Sequence, residues 1–158
     1  MTKLAVFDLD GVLFDPTVRK TIYEIAHSVT PERADKRYEI GHYLKYDKVI
    51  PNALATVIAY KTKGYEIAYL SGRRESATDA TLRILDENEF PEGRLHLKPR
   101  KGDSTEDFKS EVLQGLLNQF DEVIFFDDAE SNRAVGELLG IQCYESCEAA
   151  SIEWAFLK

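Results

Sequence analysis

The chain has 158 residues, 44% of them hydrophobic and 30% charged, which is the composition of an ordinary globular domain and excludes a disordered segment. A formal net charge of −8 disfavours a protein that grips long stretches of nucleic acid, since phosphate backbones call for many Lys and Arg contacts, but it leaves room for one phosphorylated end in a pocket. No apolar run approaches the ~20 residues needed to cross a bilayer. The apolar stretch Leu4–Phe7 meets Asp8 too soon for a signal peptide, so the expectation is a cytoplasmic protein.

In chain order, Leu4–Phe7 is a continuous apolar run of strand length, as expected for a strand covered on both faces. Asp15-Pro16 starts a helix that presents Val18, Ile22, Ile25 and Val29 on one face, and Thr30-Pro31 starts another. Pro51 opens a helix through Leu54, Val57 and Ile58 that Gly64 closes. Ile67–Leu70 reads as a second strand, and a helix from about Glu75 to Glu89 buries Ala77, Ala80, Ile84 and Leu85. Leu95–Leu97 is a weaker strand, and Thr105 can cap a helix carrying Phe108, Val112, Leu113, Leu116 and Leu117. Val123–Phe126 is a third clear strand, Gly140 ends the helix after it, and Ile141–Tyr144 is a last, weaker strand. The final ten residues, with Trp154 and Phe156, read as a packing helix.

Strands alternating with helices imply an α/β fold: a Rossmann-like parallel sheet with helices on both faces. The whole chain, residues 1–158, forms one domain, and residues 14–50 are an excess segment read as a small helical cap inserted after the first strand. In such sheets sites lie beyond the carboxyl ends of the strands, so chemical motifs should follow strands directly. Asp8 and Asp10 follow the first strand, Ser71 follows Ile67–Leu70 with Gly72 and Arg73 opening a loop, and Asp127 and Asp128 follow Val123–Phe126. Lys109 lies one turn into the helix that enters the strand of that acidic pair, with Lys98 and Lys101 as competitors for its role.

Several carboxylates in one place repel one another and force carboxyl pKa values upward. A hard divalent cation relieves this, and Mg2+ takes one or two carboxylates with waters and substrate phosphate oxygens. An aspartate can attack phosphorus to give an acyl phosphate, and the transferred group needs cations and donors aimed at its equatorial oxygens. Lys109, the Ser71 hydroxyl and backbone N–H groups near Gly11 could supply them, Asp10 could exchange a proton with the leaving oxygen, and Arg73 and Arg100 could clamp a phosphate as bidentate donors. His27, His42 and His96 have no spacing typical of a metal or nucleophile pair, and Cys143 and Cys147 read as two reduced thiols. Tyr38, Tyr43 and Tyr46 could stack on a base, although their near-helical spacing is that of ordinary packing.

These residues carry a resemblance. Asp8-Leu9-Asp10-Gly11-Val12-Leu13, Ser71 after an apolar strand, Lys109, and the pair Asp127-Asp128 resemble, in order, the four motifs of the haloacid dehalogenase superfamily. The resemblance implies a Mg2+-dependent phosphoric monoester hydrolase with Asp8 as nucleophile, Asp10 as acid/base and backbone-carbonyl metal ligand, and Asp127 and Asp128 at the metal, their division of labour open. Leu70-Ser71-Gly72-Arg73, the run Arg100-Lys101-Gly102-Asp103-Ser104 and Asn132 after the acidic pair look like the 3′-phosphatase domain of phage-type polynucleotide kinases. No Gly-x-x-x-x-Gly-Lys-Ser/Thr phosphate loop for a kinase half occurs. The substrate implied is a nucleotide or a nucleic-acid 3′-phosphate end, with a small-metabolite phosphomonoester as the alternative. A receiver-like signalling domain uses similar residues, but there the acidic pair comes first; here Asp-x-Asp does.

Overall fold

The computed structural model describes residues 1–99 and 102–150. Five parallel strands form the main sheet: β1 (Lys3–Phe7), β4 (Glu66–Arg74), β5 (Arg94–Lys98), β6 (Glu122–Phe126) and β7 (Gln142–Tyr144), side by side in the order β5-β4-β1-β6-β7. A short antiparallel pair, β2 (Phe14–Asp15) and β3 (Lys48–Val49), joins the two ends of the 14–50 segment. Between them lie α1 (Thr17–Val29), α2 (Pro31–Glu39) and a 3₁₀ turn at His42–Tyr46. The remaining helices are α3 (Ala53–Thr62), α4 (Thr78–Glu87, preceded by a 3₁₀ turn), α5 (Thr105–Leu117) and α6 (Glu130–Leu138).

The apolar runs explain the layering. Successive side chains of a strand face opposite ways, so Ala5 and Phe7, Ile67 and Tyr69, Ile124 and Phe126 face one buried cluster, which holds Val57 and Tyr60 of α3. Leu4 and Val6, Ala68 and Leu70, Val123 and Phe125 face the other, against Leu113 and Leu116 of α5. A strand covered on both faces has no polar alternation to show, which is why these runs are continuous.

Three expectations need correction. The apolar face read on α1 is turned to solvent: Val18, Ile25 and Val29 are 39%, 63% and 76% exposed, while Arg19 is buried at 3%. The helix lies over charged groups and packs its polar side inward. Ser71 does not end its strand, because β4 runs on to Arg74 along β5 with a register shift between Ser71 and Arg74. Pairing with β1 stops at Phe7–Tyr69, so Ser71 still lies past the end of the central strand. The N-cap of α5 is Ser104 and not Thr105; its hydroxyl accepts from the Asp107 N–H at 3.0 Å. The helix expected around Trp154 and Phe156 falls outside the described residues, as do Arg100 and Lys101.

Candidate active site

Parallel pairing sets the geometry. Phe7 is in register with Phe126, and the Asp8 N–H donates to the Phe126 carbonyl at 2.9 Å, so the residues after β1 and β6 emerge side by side. Asp8, Asp127 and Asp128 each offer a carboxylate oxygen within 4.8 Å of the others. Lys109 projects from the buried side of α5, in line with Leu113 and Leu116 at the i+4 and i+7 spacing of one helix face. Its ammonium is 1% exposed and lies 2.6 Å from Asp127 Oδ2 and 3.2 Å from Asp8 Oδ1. Lys98 instead donates to the Asp103 carbonyl at 3.1 Å, so among the described lysines it is Lys109 that meets the carboxylates.

Burial decides the protonation balance. Desolvation raises the Asp8 carboxyl to about 8, against the pull of Lys109 and with the help of Asp127 and Asp10. Desolvation followed by the charge of Asp127 also raises Asp128. Lys109 is raised: burial works against its charge, but Asp8 and Asp127 outweigh it. Both recorded hydrogen-bond or ion-pair contacts of Asp8, from the Leu9 N–H at 2.9 Å and from Lys109, fall on Oδ1. Asp127 accepts from Lys109 on Oδ2 and from the Ala129 N–H on Oδ1 at 2.9 Å. Asp128 is exposed. Three hard oxygen donors with too little positive charge among them suit a divalent cation of the magnesium type.

Gly11 earns its place sterically. Its φ is +86°, and a Cβ there would sit 2.1 Å from Asp128 Oδ2. Its own N–H donates to the Phe14 carbonyl at 2.9 Å. Gly72 likewise permits close approach, since a Cβ would stand 3.0 Å from Thr105 Cγ2. Ser71 is buried, and its Oγ accepts from the Arg73 N–H at 3.2 Å.

Asp10 stands in an ionic cluster that sequence reading missed in part. Arg73 Nη2 lies 2.7 Å and Arg19 Nη2 2.8 Å from Asp10 Oδ1. Both guanidiniums also meet Asp47, at 2.9 Å from Arg19 Nε and 3.3 Å from the same Arg73 Nη2 that contacts Asp10. Burial alone would raise the Asp10 carboxyl, but Arg73 and then Arg19 hold it below the usual carboxylate range. For Asp47, whose side chain is fully buried, desolvation wins over the same two arginines and raises it to about 6. A cavity of about 190 Å³ adjoins this cluster and is lined by Asp10, Arg19, Tyr38, Gly72, Arg73 and Arg74. Arg19 and Asp47 were invisible in sequence because the pair spans 28 residues and Arg19 lies off the apolar stripe that was read as buried.

Residues 5–150 match the sequence profile of the family described as the LNS2 domain of PITM 1-3. The chain belongs to that family. No curated protein matches this LNS2-family chain. Its fold is that of haloacid dehalogenase-like hydrolases. It is similar to a chain of the Pnkp1/Rnl/Hen1 RNA repair complex, with TM-score 0.63 and 19% identity over 91% of this chain and 42% of that one. It is also similar to a haloacid dehalogenase-like hydrolase of Streptococcus pneumoniae (TM-score 0.58, 16% identity, 90% and 83% of the two chains) and to a putative β-phosphoglucomutase of Thermotoga maritima (0.63, 18%, 90% and 84%). The LNS2-family chain spans less than half the length of the Pnkp1-complex chain it matches. Among its described residues, no helix is long and apolar enough to cross a membrane.

Proposed function

We propose that the chain hydrolyses phosphate monoesters by transferring the phosphoryl group to Asp8 and then to water, and that its substrate is a nucleotide or a nucleic-acid 3′-phosphate end. The observation that carries this reading is Asp8 itself: a buried carboxylate at the end of the central strand, contacted by Lys109 on Oδ1 and facing Asp127 and Asp128. Asp8 Oδ2 would attack phosphorus in line as the bond to the leaving oxygen breaks, giving the acyl phosphate. Asp10 would give a proton to the leaving oxygen and later take one from the water that cleaves the intermediate. Since Arg19 and Arg73 favour its ionised form, it is poised first as a base, and its service as an acid calls for a phosphate to draw one guanidinium away. Ser71 and Lys109 would hold the transferred oxygens, and Arg73 and Gly72 would receive the substrate. Arg100 remains a proposed second phosphate clamp.

Asp8, Asp128 and the Asp10 backbone carbonyl are the groups proposed to hold Mg2+. Asp127 would orient Lys109, because each of its oxygens already accepts a hydrogen bond. When bound, the cation would neutralise the carboxylates and draw charge from the phosphate oxygens. The 14–50 segment would act as a cap, since it supplies Arg19 and Asp47 to the site. That Cys143 and Cys147 stand outside any disulfide among the described residues favours a reducing, cytoplasmic setting.

The likeness of fold to a chain of an RNA repair complex supports the nucleic-acid choice of substrate, and that to a putative β-phosphoglucomutase the sugar-phosphate alternative. The test is phosphate release from a 3′-phosphorylated oligonucleotide, from mononucleotides and from sugar phosphates, with Asp8→Asn alongside. Asp8→Asn is expected to lose on the order of 10⁴-fold or more in kcat, since both nucleophile and metal ligand are lost. Near-normal turnover in that variant would refute the mechanism, and sugar phosphates turned over as fast as the oligonucleotide would refute the substrate.

A further inference from the structure

The catalytic reading uses Asp10, Arg19 and Arg73 but leaves the cavity beside them unexplained. Asp10 is the group placed to meet the leaving oxygen, so whatever carries that oxygen must occupy the space bordering Asp10, and the 190 Å³ cavity is that space. Along its inner wall Asp10 and Asp47 already face Arg19 and Arg73 in direct ion pairs, two carboxylates against two guanidiniums, so an anion there would have to displace a carboxylate.

The cavity has an aromatic ring in its wall. Tyr38 lines it and is 40% exposed. The ring packs against Tyr23, with centroids 4.6 Å apart at 40°, and Tyr23 is held in turn by its hydroxyl, which donates to Asp35 at 2.5 Å. The Arg19 guanidinium lies 5.9 Å from the Tyr38 ring centroid, so the cation that contacts Asp10 also orients the ring. The volume falls below the ~300 Å³ at which drug-sized pockets begin, enough for one planar group and no more.

Building on the proposed substrate class, we propose that this cavity is the subsite for the nucleobase of the terminal nucleotide, with Tyr38 as its stacking platform. A π-face is common to every base, so the subsite selects a base-bearing end without choosing among bases. Tyr38 determines specificity and takes no part in the chemical step.

The experiment compares two 3′-phosphorylated oligonucleotides, one ending in a normal nucleotide and one in an abasic sugar, with wild type, Tyr38→Ala and Tyr38→Phe. On the base-bearing end, Tyr38→Ala is expected to raise KM about 5- to 150-fold, the range of a lost base–aromatic stack, with a much smaller change in kcat. On the abasic end the penalty should shrink to less than about twofold, because there is no base to lose. Tyr38→Phe keeps the ring and should follow wild type on both, which separates stacking from a failure to fold. An equal KM penalty on both ends, a loss confined to kcat, or no change in Tyr38→Ala would overturn the subsite while the phosphatase reading stands. If wild type released phosphate from neither oligonucleotide but did so from sugar phosphates, the substrate reading itself would fall, and the base subsite with it.

Discussion

Replacing Lys109 by methionine keeps the length of the side chain and removes the charge that two buried carboxylates share. The ammonium is 1% exposed, 2.6 Å from Asp127 and 3.2 Å from Asp8, so solvent screens little of the interaction. Deleting one partner of a buried ion pair costs roughly 3–5 kcal/mol, since the remaining charge is left unpaired. At about 2–4 °C per kcal/mol for a domain of this size, the melting temperature should fall by roughly 6–20 °C. The measurement is a thermal melt in chelator at pH 7 and at pH 9. With Lys109 gone, its pull on the Asp8 carboxyl is lost while the burial that already raises that carboxyl to about 8 remains, so Asp8 holds its proton to still higher pH. The cost of ionising it is absent in acid and grows as pH rises through the folded-state value. The gap between variant and wild type should therefore be wider at pH 9 than at pH 7. Mg2+ added at pH 9 should raise the melting temperature of the variant, because a cation at the same carboxylates replaces part of the missing charge. A fall of less than about 2 °C with no dependence on pH would show that Lys109 is not their counter-charge.

Three further outcomes can be measured on the same footing. Gly11→Ala forces a side chain into φ +86° and against Asp128 Oδ2; the conformation alone costs about 1–2 kcal/mol, and the displaced carboxylate should weaken Mg2+ binding in calorimetry. Unchanged affinity would remove Asp128 from the metal site. The raised Asp47 carboxyl, about 6 when folded against an ordinary 3.8, means that its contribution is complete at low pH and is lost as pH rises from about 4 through about 6. The difference in melting temperature between Asp47→Asn and wild type should accordingly move in favour of the variant across that window, and a flat difference would contradict the burial of an ionisable group there. Ser104→Ala removes the side-chain acceptor of the Asp107 N–H at the start of α5 and should cost about 1 kcal/mol in urea denaturation, with no effect expected from Thr105→Ala at the cap.

What could be read from the sequence was whatever one stretch of chain determines by itself. Leu4–Phe7 and Val123–Phe126 are apolar throughout because both faces of a central strand are covered, and that property needs no knowledge of the partner strand. Asp8 and Asp127 could then be placed together, since parallel strands end at the same edge. Arg19 followed the opposite logic. Its burial depends on Asp10, Asp47 and Arg73, which reach it from three different parts of the chain, and on a helix that turns Ile25 and Val29 outward against the usual preference. Periodicity assigns the apolar stripe to the interior by default; a helix lying over a charged site inverts that default, and only the charges beneath reveal it. Gly11 depends on distant chain in the same way. Its own N–H closes the turn on the Phe14 carbonyl, and the need for glycine comes from Asp128, over one hundred positions away in the chain.

The two halves of the site therefore answer to different physics. The sheet edge gathers Asp8, Asp127 and Asp128 through strand register, which is rigid because slipping one residue would turn the apolar face of β1 or β6 outward. The 14–50 segment joins through the charges of Arg19 and Asp47, and its two-residue strands β2 and β3 are a slender connection to the sheet. On the proposed reading, a substrate phosphate competing for Arg19 and Arg73 would act on the connection between these halves and not on the carboxylate cluster. On this division, substitutions at Asp8, Lys109 or Asp128 should strike the chemical step whatever the substrate, and substitutions in the 14–50 segment should separate one phosphate ester from another.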